Sequence, residues 1–295
     1  KFNSPIILIG SKNLLELQMK RLNVQKKIRL INFFDLKKCD LDNKKINLIN
    51  INFNQKKPFD RISSKSNIYI EKSFDIALKI MSSKISNKFI NGPVSKKFFL
   101  KNKYAGITEF ISDKFKIKNH YAMLIFTKEL SVCPITTHLP LSKVSKKINK
   151  KDIILKSLTI NDFYKKKFSI KPKIAITGLN PHCENFFSIS EEKKIIEPAI
   201  KFLKKRKIKI FGPYPADTVF LKQNNKNFDV IIGMYHDQVL TPIKTLYGFN
   251  AINITLGLPF LRISPDHGPN HKMVGKNRSN PQSLINAIKF LNKDL

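Results

Sequence analysis

Short apolar runs, separated by glycine, proline and polar residues, dominate the hydrophobic pattern of this chain. Such runs are typical of buried strands, whereas longer stretches with apolar residues on one face are typical of helices. The pattern predicts strands at residues 6–10, 88–92, 123–126, 132–137, 173–177, 229–233 and 251–255. It predicts helices near residues 13–22, 72–83, 188–204 and 283–291.

Two details support these helices. One face of the second helix carries only apolar side chains, namely Phe74, Ala77, Leu78 and Met81. Ser188-Ile-Ser-Glu191 is a capping box that opens a helix reaching about Lys204. The remainder of residues 11–66 is polar, and we expect irregular structure there. Strands that alternate with helices predict an α/β fold whose functional residues lie just past the strand ends.

Length and composition fit a globular protein. A chain of 295 residues, 42% of them hydrophobic, can form two lobes around a substantial core. We find no run of the ~20 apolar residues that a membrane helix needs and no secretory leader. Three cysteines without a CxxC pair fit reduced thiols, so we expect a cytoplasmic protein. The chain starts at Lys1, almost directly before the first strand, which suggests a missing N-terminal segment.

The net charge is +34, from 55 Lys and Arg residues against 21 Asp and Glu residues. Such a surface attracts nucleic acids, anionic membranes and phosphorylated metabolites. A basic nucleic-acid-binding protein is therefore the alternative from another functional class. However, the lysines are spread over the whole chain, and no recognition motif or stripe of aromatic and basic residues is present. We expect no nucleic-acid partner and no membrane partner.

Three of the six histidines follow predicted strands directly. They are His138 in Thr-Thr-His-Leu-Pro, His182 in Gly-Leu-Asn-Pro-His, and His236 in Met-Tyr-His-Asp-Gln. Three imidazoles that converge from separate loops can hold Zn²⁺ or a similar ion with one position open for substrate. Alternatively, each histidine bonds only within its own turn, and the sequence leaves both interpretations open.

Lys244, Asn253 and Arg262 lie downstream of His236. Arg262 follows an apolar stretch, where its charge needs a partner. That partner is either the phosphate or carboxylate of a ligand, which guanidinium binds in bidentate fashion, or an acidic residue such as Asp266. Lys244 can equally be a solvated surface lysine.

A site for a dinucleotide is less evident, because the chain has neither a GxGxxG fingerprint nor a P-loop. What remains is a turn-rich segment with Asp266-His267-Gly268, then Gly275, then Asn280-Pro281 before the last helix. Such a segment can wrap around an adenosine, but its spacing alone does not establish this.

Seven motifs in this order resemble the 4-hydroxythreonine-4-phosphate dehydrogenase family and cover about residues 88–291. They begin at Asn91-Gly-Pro-Val, Gly106-Ile-Thr-Glu-Phe, Thr136-Thr-His-Leu-Pro, Gly178-Leu-Asn-Pro-His, Gly212-Pro-Tyr-Pro-Ala-Asp-Thr, Met234-Tyr-His-Asp-Gln and Asn253-Ile-Thr-Leu-Gly-Leu-Pro-Phe. The resemblance implies a two-lobed, three-layer α/β/α fold like that of isocitrate and isopropylmalate dehydrogenases. It also implies a homodimer whose active site lies at the junction of the lobes. We expect residues 1–95 with about 240–295 to form the cofactor-side lobe. About 96–239 would form a central lobe with the metal ligands and the dimer interface.

The resemblance also implies roles for individual residues. It makes His138, His182 and His236 the ligands of a divalent metal, with zinc expected first and magnesium or cobalt as alternatives. It makes Thr108, Lys244, Asn253 and Arg262 the substrate contacts. The segment with His267, Gly268 and Asn280 would bind the cofactor, NAD, with NADP as an open alternative.

The implied reaction is NAD-linked oxidation of the C3 hydroxyl of 4-phosphooxy-L-threonine. Loss of CO₂ then gives 3-amino-2-oxopropyl phosphate, in vitamin B6 synthesis. The nicotinamide carries out the redox step. Lys244 or Asp237, both close to His236 in the sequence, is the candidate proton acceptor.

Some positions depart from the family pattern. Ile107 stands where the family usually has a histidine next to Thr108, and Ser95 replaces the histidine of Gly-Pro-Val-His-Lys. The glycine-rich stretch after the Asn-Pro-His motif is replaced by the bulkier residues 183–187. Two alternatives therefore remain open: a dehydrogenase of another phosphorylated hydroxy acid, such as a four-carbon sugar acid, and a family member that binds ligand without turnover.

Overall fold

The structure is a computed structural model that describes residues 4–100, 103–104, 106–117, 121–183 and 190–292. Within these ranges the chain forms eleven strands. They are β1 (Ile7–Gly10), β2 (Ile28–Leu30), β3 (Ile46–Asn50), β4 (Lys88–Ile90), β5 (Ala122–Phe126), β6 (Ser131–Thr136), β7 (Ile174–Thr177), β8 (Ile210–Tyr214), β9 (Val230–Tyr235), β10 (Ile252–Leu256) and β11 (Leu261–Pro265).

Eleven α-helices are described within the same ranges. They are α1 (Lys12–Arg21), α2 (Asn67–Ser82), α3 (Lys96–Phe99), α4 (Ile107–Lys114), α5 (Val144–Lys147), α6 (Lys150–Phe168), α7 (Glu197–Lys205), α8 (Ala216–Val219), α9 (Lys222–Asn225), α10 (His236–Tyr247) and α11 (Gln282–Asn292). A π-helical turn, Glu192–Ile196, leads directly into α7.

The large sheet has eight strands in the order β4-β11-β10-β5-β6-β9-β7-β8. Strands β6, β9, β7 and β8 run parallel, while the β5 and β10 pairings are antiparallel. The carboxyl ends of the parallel strands therefore meet at one edge of the sheet, where α/β proteins place ligand groups.

Helices cover both faces of this sheet. On one face, α6, α7 and α11 pack through residues such as Ile153, Leu203 and Phe290 against buried strand residues. On the other face, α10 packs through Val239, Leu240 and Ile243. The strands are apolar on both sides because both sides are covered. This arrangement gives the three layers of an α/β/α fold, as the sequence predicted.

The first hundred residues add a smaller parallel sheet of order β1-β3-β2. Our expectation of irregular structure across residues 11–66 was therefore wrong for β2 and β3. These strands are short and are flanked by lysine and asparagine, so their apolar signal is weak. They form because Leu48 and Ile49 are buried, and Ile49 packs in an apolar core with α2 and α4. Here tertiary contacts override the local sequence preference.

Most of the predicted elements are confirmed within one to five residues of their expected ends. The capping-box residue Ser188 lies outside the described residues, and the helix expected from it is described from the π-helical turn at Glu192 onward. Besides β2 and β3, five elements of five or more residues were not predicted: α4, α6, α10, β8 and β11. The boundaries expected near residues 95 and 240 stay a prediction; the eight-stranded sheet contains strands from both sides of each boundary.

Among the described residues, no helix is both long enough and apolar enough to span a lipid bilayer.

Candidate active site

The pairing of two parallel strands determines the position of two histidines. Thr136, at the end of β6, is in register with Tyr235, at the end of β9. The Thr136 hydroxyl donates a hydrogen bond of 2.8 Å to the Met234 carbonyl, which fixes the two strand ends together. His138 follows β6 by two residues, and His236 is the first residue of α10. As a result, the two imidazole centroids lie 5.8 Å apart.

Both His138 and His182 have left-handed backbone conformations, with φ of 51° and 58°. This region is uncommon for residues other than glycine and asparagine, and it costs energy that the surrounding structure must supply. Such backbone strain is concentrated at functional sites. The sequence alone gave no sign of it.

The His138 ring lies between an acidic side chain, Glu109, and a basic one, Lys96. Its Nδ1 is 3.6 Å from Glu109 Oε1, and its Nε2 is 2.9 Å from the Lys96 ammonium. Gly106 permits this packing, since a Cβ there would lie 2.7 Å from Glu109 Oε2 and 3.1 Å from His138 Cε1. Glu109 therefore fixes the orientation of the His138 ring from the Nδ1 side.

The carboxyl group of Glu109 stays ionised in this position. Burial alone would raise its pKa, but the nearby His138 ring, together with the Lys96 charge, lowers the pKa below the ordinary value. A charged carboxylate next to Nδ1 favours the tautomer whose Nε2 is free to bind a ligand.

His236 has a similar neighbour. Its Nδ1 lies 2.6 Å from Asp237 Oδ1. As at His138, an acidic group occupies the Nδ1 side of the ring, which leaves Nε2 available. Asp237 itself is largely exposed, with 79% of its side-chain surface accessible.

His182 lies in a turn that Glu192 holds in place. The Glu192 side chain is fully buried, and its Oε1 accepts hydrogen bonds from the backbone N–H groups of Leu179 and Asn180 at 2.8 and 2.9 Å. Burial alone would raise the Glu192 pKa, but these hydrogen bonds and that of the Asn180 amide lower it. Gly178 is required because a Cβ there would lie 2.6 Å from Cys183 Sγ. His182 itself is exposed at the end of this turn.

The structure brings two of the three predicted metal ligands together. At a metal–nitrogen distance of about 2.0 Å, two imidazoles on one ion have ring centres roughly 5–6 Å apart, and His138 and His236 match this spacing. Among the described residues of this single chain, no group of three His, Cys, Asp or Glu side chains is close enough to hold an ion. Within one chain, His182 therefore does not lie close enough to His138 and His236 to share an ion with them.

Arg262 forms the second part of the site. It is only 3% exposed, and its partners are neutral: Nε donates to Asn91 Oδ1 at 2.7 Å, and Nη1 donates to the hydroxyls of Thr255 at 2.8 Å and Thr108 at 3.2 Å. Burial lowers the Arg262 pKa to about 10, and Glu109 opposes this effect. The acidic partner suggested by the sequence, Asp266, is instead paired with Lys244.

The pairing of β10 with β11 places two further polar residues next to the strand that carries Arg262. Thr255 on β10 faces Arg262 on β11, and Asn253 lies two residues before Thr255 on the same side of β10. The Asn253 Oδ1 is buried and has no hydrogen-bond partner among the described residues. An unpaired buried amide oxygen is costly unless a donor satisfies it, so Asn253 Oδ1 can accept a hydrogen bond from a bound molecule.

Lys244 is held by Asp266. Its ammonium donates to the Asp266 carbonyl at 3.0 Å and lies 3.2 Å from Oδ2. Burial raises the pKa of the Asp266 carboxyl above its ordinary value, although the Lys244 charge opposes this shift. Lys244 is 45% exposed, so it is a surface lysine with one acidic partner, and its role in substrate binding stays a prediction.

The contacts described for the predicted cofactor residues His267 and Asn280 are local ones. His267 Nδ1 lies 3.1 Å from the Gly268 carbonyl, and the His267 ring is 6.4 Å from that of Phe249. Asn280 Oδ1 accepts a hydrogen bond from the Gln282 backbone at 2.8 Å and so caps the start of α11. This is a structural role, and cofactor binding by these residues stays a prediction.

Sequence reasoning did not identify Glu109, Lys96, Asn91 and Thr255, although all four contact predicted site residues. Three of them lie inside motifs used for the resemblance, and Lys96 lies just beyond one. Their position in these motifs was the signal that could have found them.

A comparison with protein-family models shows which family the chain belongs to. The model described as pyridoxal phosphate biosynthetic protein PdxA matches residues 1–291. The chain belongs to this family. Membership in the PdxA family, with relatives that are named dehydrogenases, makes it an oxidoreductase, as the sequence predicted.

Two relatives illustrate the range of the PdxA family. The 4-hydroxythreonine-4-phosphate dehydrogenase of Sulfurihydrogenibium sp. (strain YO3AOP1) is 40% identical over 98% of this chain and 89% of its own length. The D-threonate 4-phosphate dehydrogenase of Pectobacterium atrosepticum is 35% identical over 63% of this chain and 57% of its own length.

Solved structures agree with this assignment. The 4-hydroxythreonine-4-phosphate dehydrogenase of Klebsiella pneumoniae superposes with a TM-score of 0.81 at 26% identity, covering 97% of this chain and 89% of that one. Isocitrate dehydrogenase from Methylococcus capsulatus shares the fold, with a TM-score of 0.52 at 12% identity over 96% and 84% of the two chains. The predicted isocitrate-dehydrogenase-like fold is thus confirmed.

The unusual Ile107 is explained by packing. It is the first residue of α4, is 9% exposed, and belongs to the apolar core formed by α2, α4 and the small sheet. A histidine in this position would bury a polar ring in apolar surroundings. The neighbouring Thr108 side chain points instead towards Arg262.

Proposed function

We propose that this chain oxidises the C3 hydroxyl of 4-phosphooxy-L-threonine with a nicotinamide dinucleotide and releases CO₂, giving 3-amino-2-oxopropyl phosphate for pyridoxal phosphate synthesis. The main support is the buried guanidinium of Arg262, whose described partners are all neutral, in a member of the PdxA family. The nicotinamide takes the hydride, while the protein supplies binding and orientation.

Arg262 binds the anionic group of the substrate in this proposal. A buried cation without an anionic partner is unfavourable, and a phosphate or carboxylate compensates it through charge-assisted hydrogen bonds. Thr108 contributes its hydroxyl next to the guanidinium, and the unpaired Oδ1 of Asn253 accepts a hydrogen bond from a hydroxyl or ammonium of the same ligand. Asn91 and Thr255 hold the guanidinium in its plane.

His138, His182 and His236 would hold a divalent ion, with zinc the expected one. The fit rests on the imidazole spacing of His138 and His236 and on the acidic residue at Nδ1 of each ring. The bound ion would act as a Lewis acid at a substrate oxygen. The Lys96 ammonium lies 2.9 Å from His138 Nε2, so the Lys96 side chain must move when that nitrogen binds a metal ion.

The substrate hydroxyl must lose a proton during oxidation, and we assign this proton to the Lys244–Asp266 pair. An ammonium cannot accept a proton, so Lys244 must first transfer one to Asp266. The Asp266 carboxylate lies 3.2 Å from the Lys244 ammonium and is therefore placed to receive this proton. Asp237, the other candidate, already accepts a hydrogen bond from His236 and orients that ring.

A homodimer would complete the site. Leu139 and Leu141 follow His138 directly and are 38% and 69% exposed. Exposed leucines next to a polar site are typical of a surface that a partner covers. A second subunit docked there could supply His182. The cytoplasmic location expected from the sequence stays a prediction.

A second candidate substrate has specific support. One relative, matched over 63% of this chain, is named D-threonate 4-phosphate dehydrogenase, and D-threonate 4-phosphate carries a hydroxyl where 4-phosphooxy-L-threonine carries an ammonium. The departure at Ile107 also affects a position next to substrate-binding Thr108. The same dehydrogenase chemistry would then act on a four-carbon phosphorylated sugar acid.

One assay tests the proposed function. The purified protein is incubated with each phosphorylated acid, NAD⁺ or NADP⁺, and Zn²⁺, Mg²⁺ or Co²⁺, and absorbance at 340 nm is recorded. We expect metal-dependent reduction of the dinucleotide with 4-phosphooxy-L-threonine, and CO₂ release in equal amount. Faster turnover of D-threonate 4-phosphate would favour the second candidate, and no turnover of either acid would refute the dehydrogenase proposal.

Replacing Glu109 with glutamine should weaken metal binding. The neutral amide lacks the negative charge that the carboxylate places beside His138 Nδ1, and loss of such support lowers metal affinity about 10- to 100-fold. Isothermal titration with Zn²⁺ measures the change. The matched control is Asp113→Asn on the same helix, where the carboxylate accepts a hydrogen bond from the Tyr104 hydroxyl and has no contact with His138 among the described residues. Equal zinc affinity in Glu109→Gln and the wild type would contradict the role given to Glu109.

A further inference from the structure

Lys96 is an exposed lysine at the start of α3, and its described side-chain contact is with His138. Its ammonium lies 2.9 Å from His138 Nε2 and forms no ion pair with a carboxylate in the described ranges. An ammonium group can only donate, so Nε2 accepts this hydrogen bond through its lone pair. A metal ion binds an imidazole through the same lone pair. Lys96 and a metal ion therefore exclude each other at His138.

The backbone that carries Lys96 is anchored on both sides. Before the helix, the Asn91 backbone N–H donates to the Ile263 carbonyl at 3.2 Å. Within α3, the Phe99 ring stacks on the Phe74 ring with centroids 5.8 Å apart, inside an apolar core. The lysine ammonium, by contrast, is a point charge on a flexible four-carbon stem. Displacement by a metal ion would thus move the ammonium and leave α3 in place.

Two consecutive residues of α4 connect Lys96 with Arg262. Thr108 accepts a hydrogen bond from the Arg262 guanidinium at 3.2 Å. Glu109, the next residue, lies 3.6 Å from Nδ1 of His138, the ring that Lys96 contacts. Both cations are hydrogen-bonded to uncharged groups rather than to carboxylates. A substrate with one phosphate and one carboxylate supplies an anionic group for each of them.

We infer that Lys96 has two alternative positions: on His138 Nε2 in the metal-free protein, and on the substrate carboxylate once a metal ion occupies that nitrogen. This rests on the proposed function, which supplies the metal ion and the acid and places the C3 hydroxyl at the histidines. In 4-phosphooxy-L-threonine the carboxylate carbon lies fewer bonds from C3 than the phosphorus does, so the carboxylate is the anionic group nearer to Lys96. Arg262 then binds the phosphate.

This exchange makes the two ligands favour each other. The metal ion releases the Lys96 ammonium from His138, and the acid then gains a cation that the metal-free protein holds elsewhere. Because such coupling is reciprocal, the bound acid also holds Lys96 away from the histidine and strengthens metal binding.

Titrations without a dinucleotide test this exchange, because binding is then separate from turnover. Isothermal titration measures Zn²⁺ binding to the metal-free chain, and 4-phosphooxy-L-threonine binding to the zinc-loaded chain. Lys96→Met removes the competing ammonium, so we expect Zn²⁺ alone to bind about 10-fold more tightly than to the wild type. The same variant should bind the acid about 10-fold more weakly, since one charge-assisted hydrogen bond is lost.

Lys97→Met is the matched control. Lys97 is the next residue of α3 and is also exposed, and its ammonium lies over the Phe98 ring, 5.7 Å from the centroid. The variant removes the same charge from the same helix, so it corrects for the general attraction of anions to a chain with a net charge of +34. Both affinities of Lys97→Met should equal those of the wild type.

Opposite changes in the two affinities identify the exchange, since a variant that only disturbed the fold would weaken both. Unchanged or weaker Zn²⁺ binding in Lys96→Met, or unchanged binding of the acid, would overturn the inference, while turnover by the wild type would still support the proposed function. If the two affinities change as expected but the wild type reduces neither NAD⁺ nor NADP⁺ with the acid, the two positions of Lys96 are supported and the dehydrogenase proposal is refuted.

Discussion

Replacing His182 with asparagine is expected to abolish metal-dependent turnover, with kcat reduced by about 10³-fold or more, because removal of one ligand empties the ion site. Asparagine is chosen since it tolerates the left-handed backbone of residue 182, where φ is 58°. The fold should persist, since Glu192 holds the turn through the backbone of Leu179 and Asn180. Steady-state kinetics, metal content and thermal unfolding of the purified variant provide the test.

A mixing experiment then asks which subunit supplies His182. Within one chain His138 and His236 meet, and no described third ligand joins them. If the partner supplies His182, mixed dimers of His138→Ala and His182→Asn subunits contain one intact site. Random assortment should restore about one quarter of the wild-type activity. If all three ligands come from one chain, the mixture stays inactive. Full activity of His182→Asn alone would contradict the metal assignment.

The second large effect is expected for Arg262→Met. Methionine fills a similar volume without charge, so the substrate loses the cation that binds its anionic group. Removing one partner of a buried charge pair costs about 2–5 kcal/mol, which corresponds to roughly 30- to 5000-fold in kcat/KM. Kinetics with the phosphorylated substrate measure the loss.

The free energy of unfolding should fall by about 1–3 kcal/mol in Arg262→Met, because Asn91, Thr108 and Thr255 lose a donor while an uncompensated buried charge disappears. Arg29→Met is the matched control, since Arg29 pairs with Asp42 at the surface, away from the site. An unchanged kcat/KM in Arg262→Met would show that this guanidinium does not bind substrate.

The sequence predicted the strand ends that carry two of the candidate site histidines, but it missed several elements around them. His138 and His236 were expected past strand ends, and parallel pairing of β6 with β9 brings them together. This worked because apolar strands covered on both faces give a continuous hydrophobic run that is easy to recognise. Short strands such as β2, flanked by lysines, give no such signal.

Other features depend on contacts between distant residues. Nothing local to Glu109 or Lys96 reveals that their side chains contact His138, because those contacts exist only after folding. For the same reason the sequence suggested Asp266 as an acidic partner for Arg262, whereas the folded chain pairs Asp266 with Lys244. Helix α6 was missed although it spans 19 residues.

The most direct measurement is anomalous diffraction at the zinc edge from crystals of the Zn²⁺-bound protein. We expect one anomalous peak at the carboxyl end of β6 and β9, about 2.0–2.1 Å from nitrogens of His138, His236 and His182, with His182 from either subunit. A peak elsewhere, or zinc bound without these imidazoles, would show that the three histidines do not form the metal site.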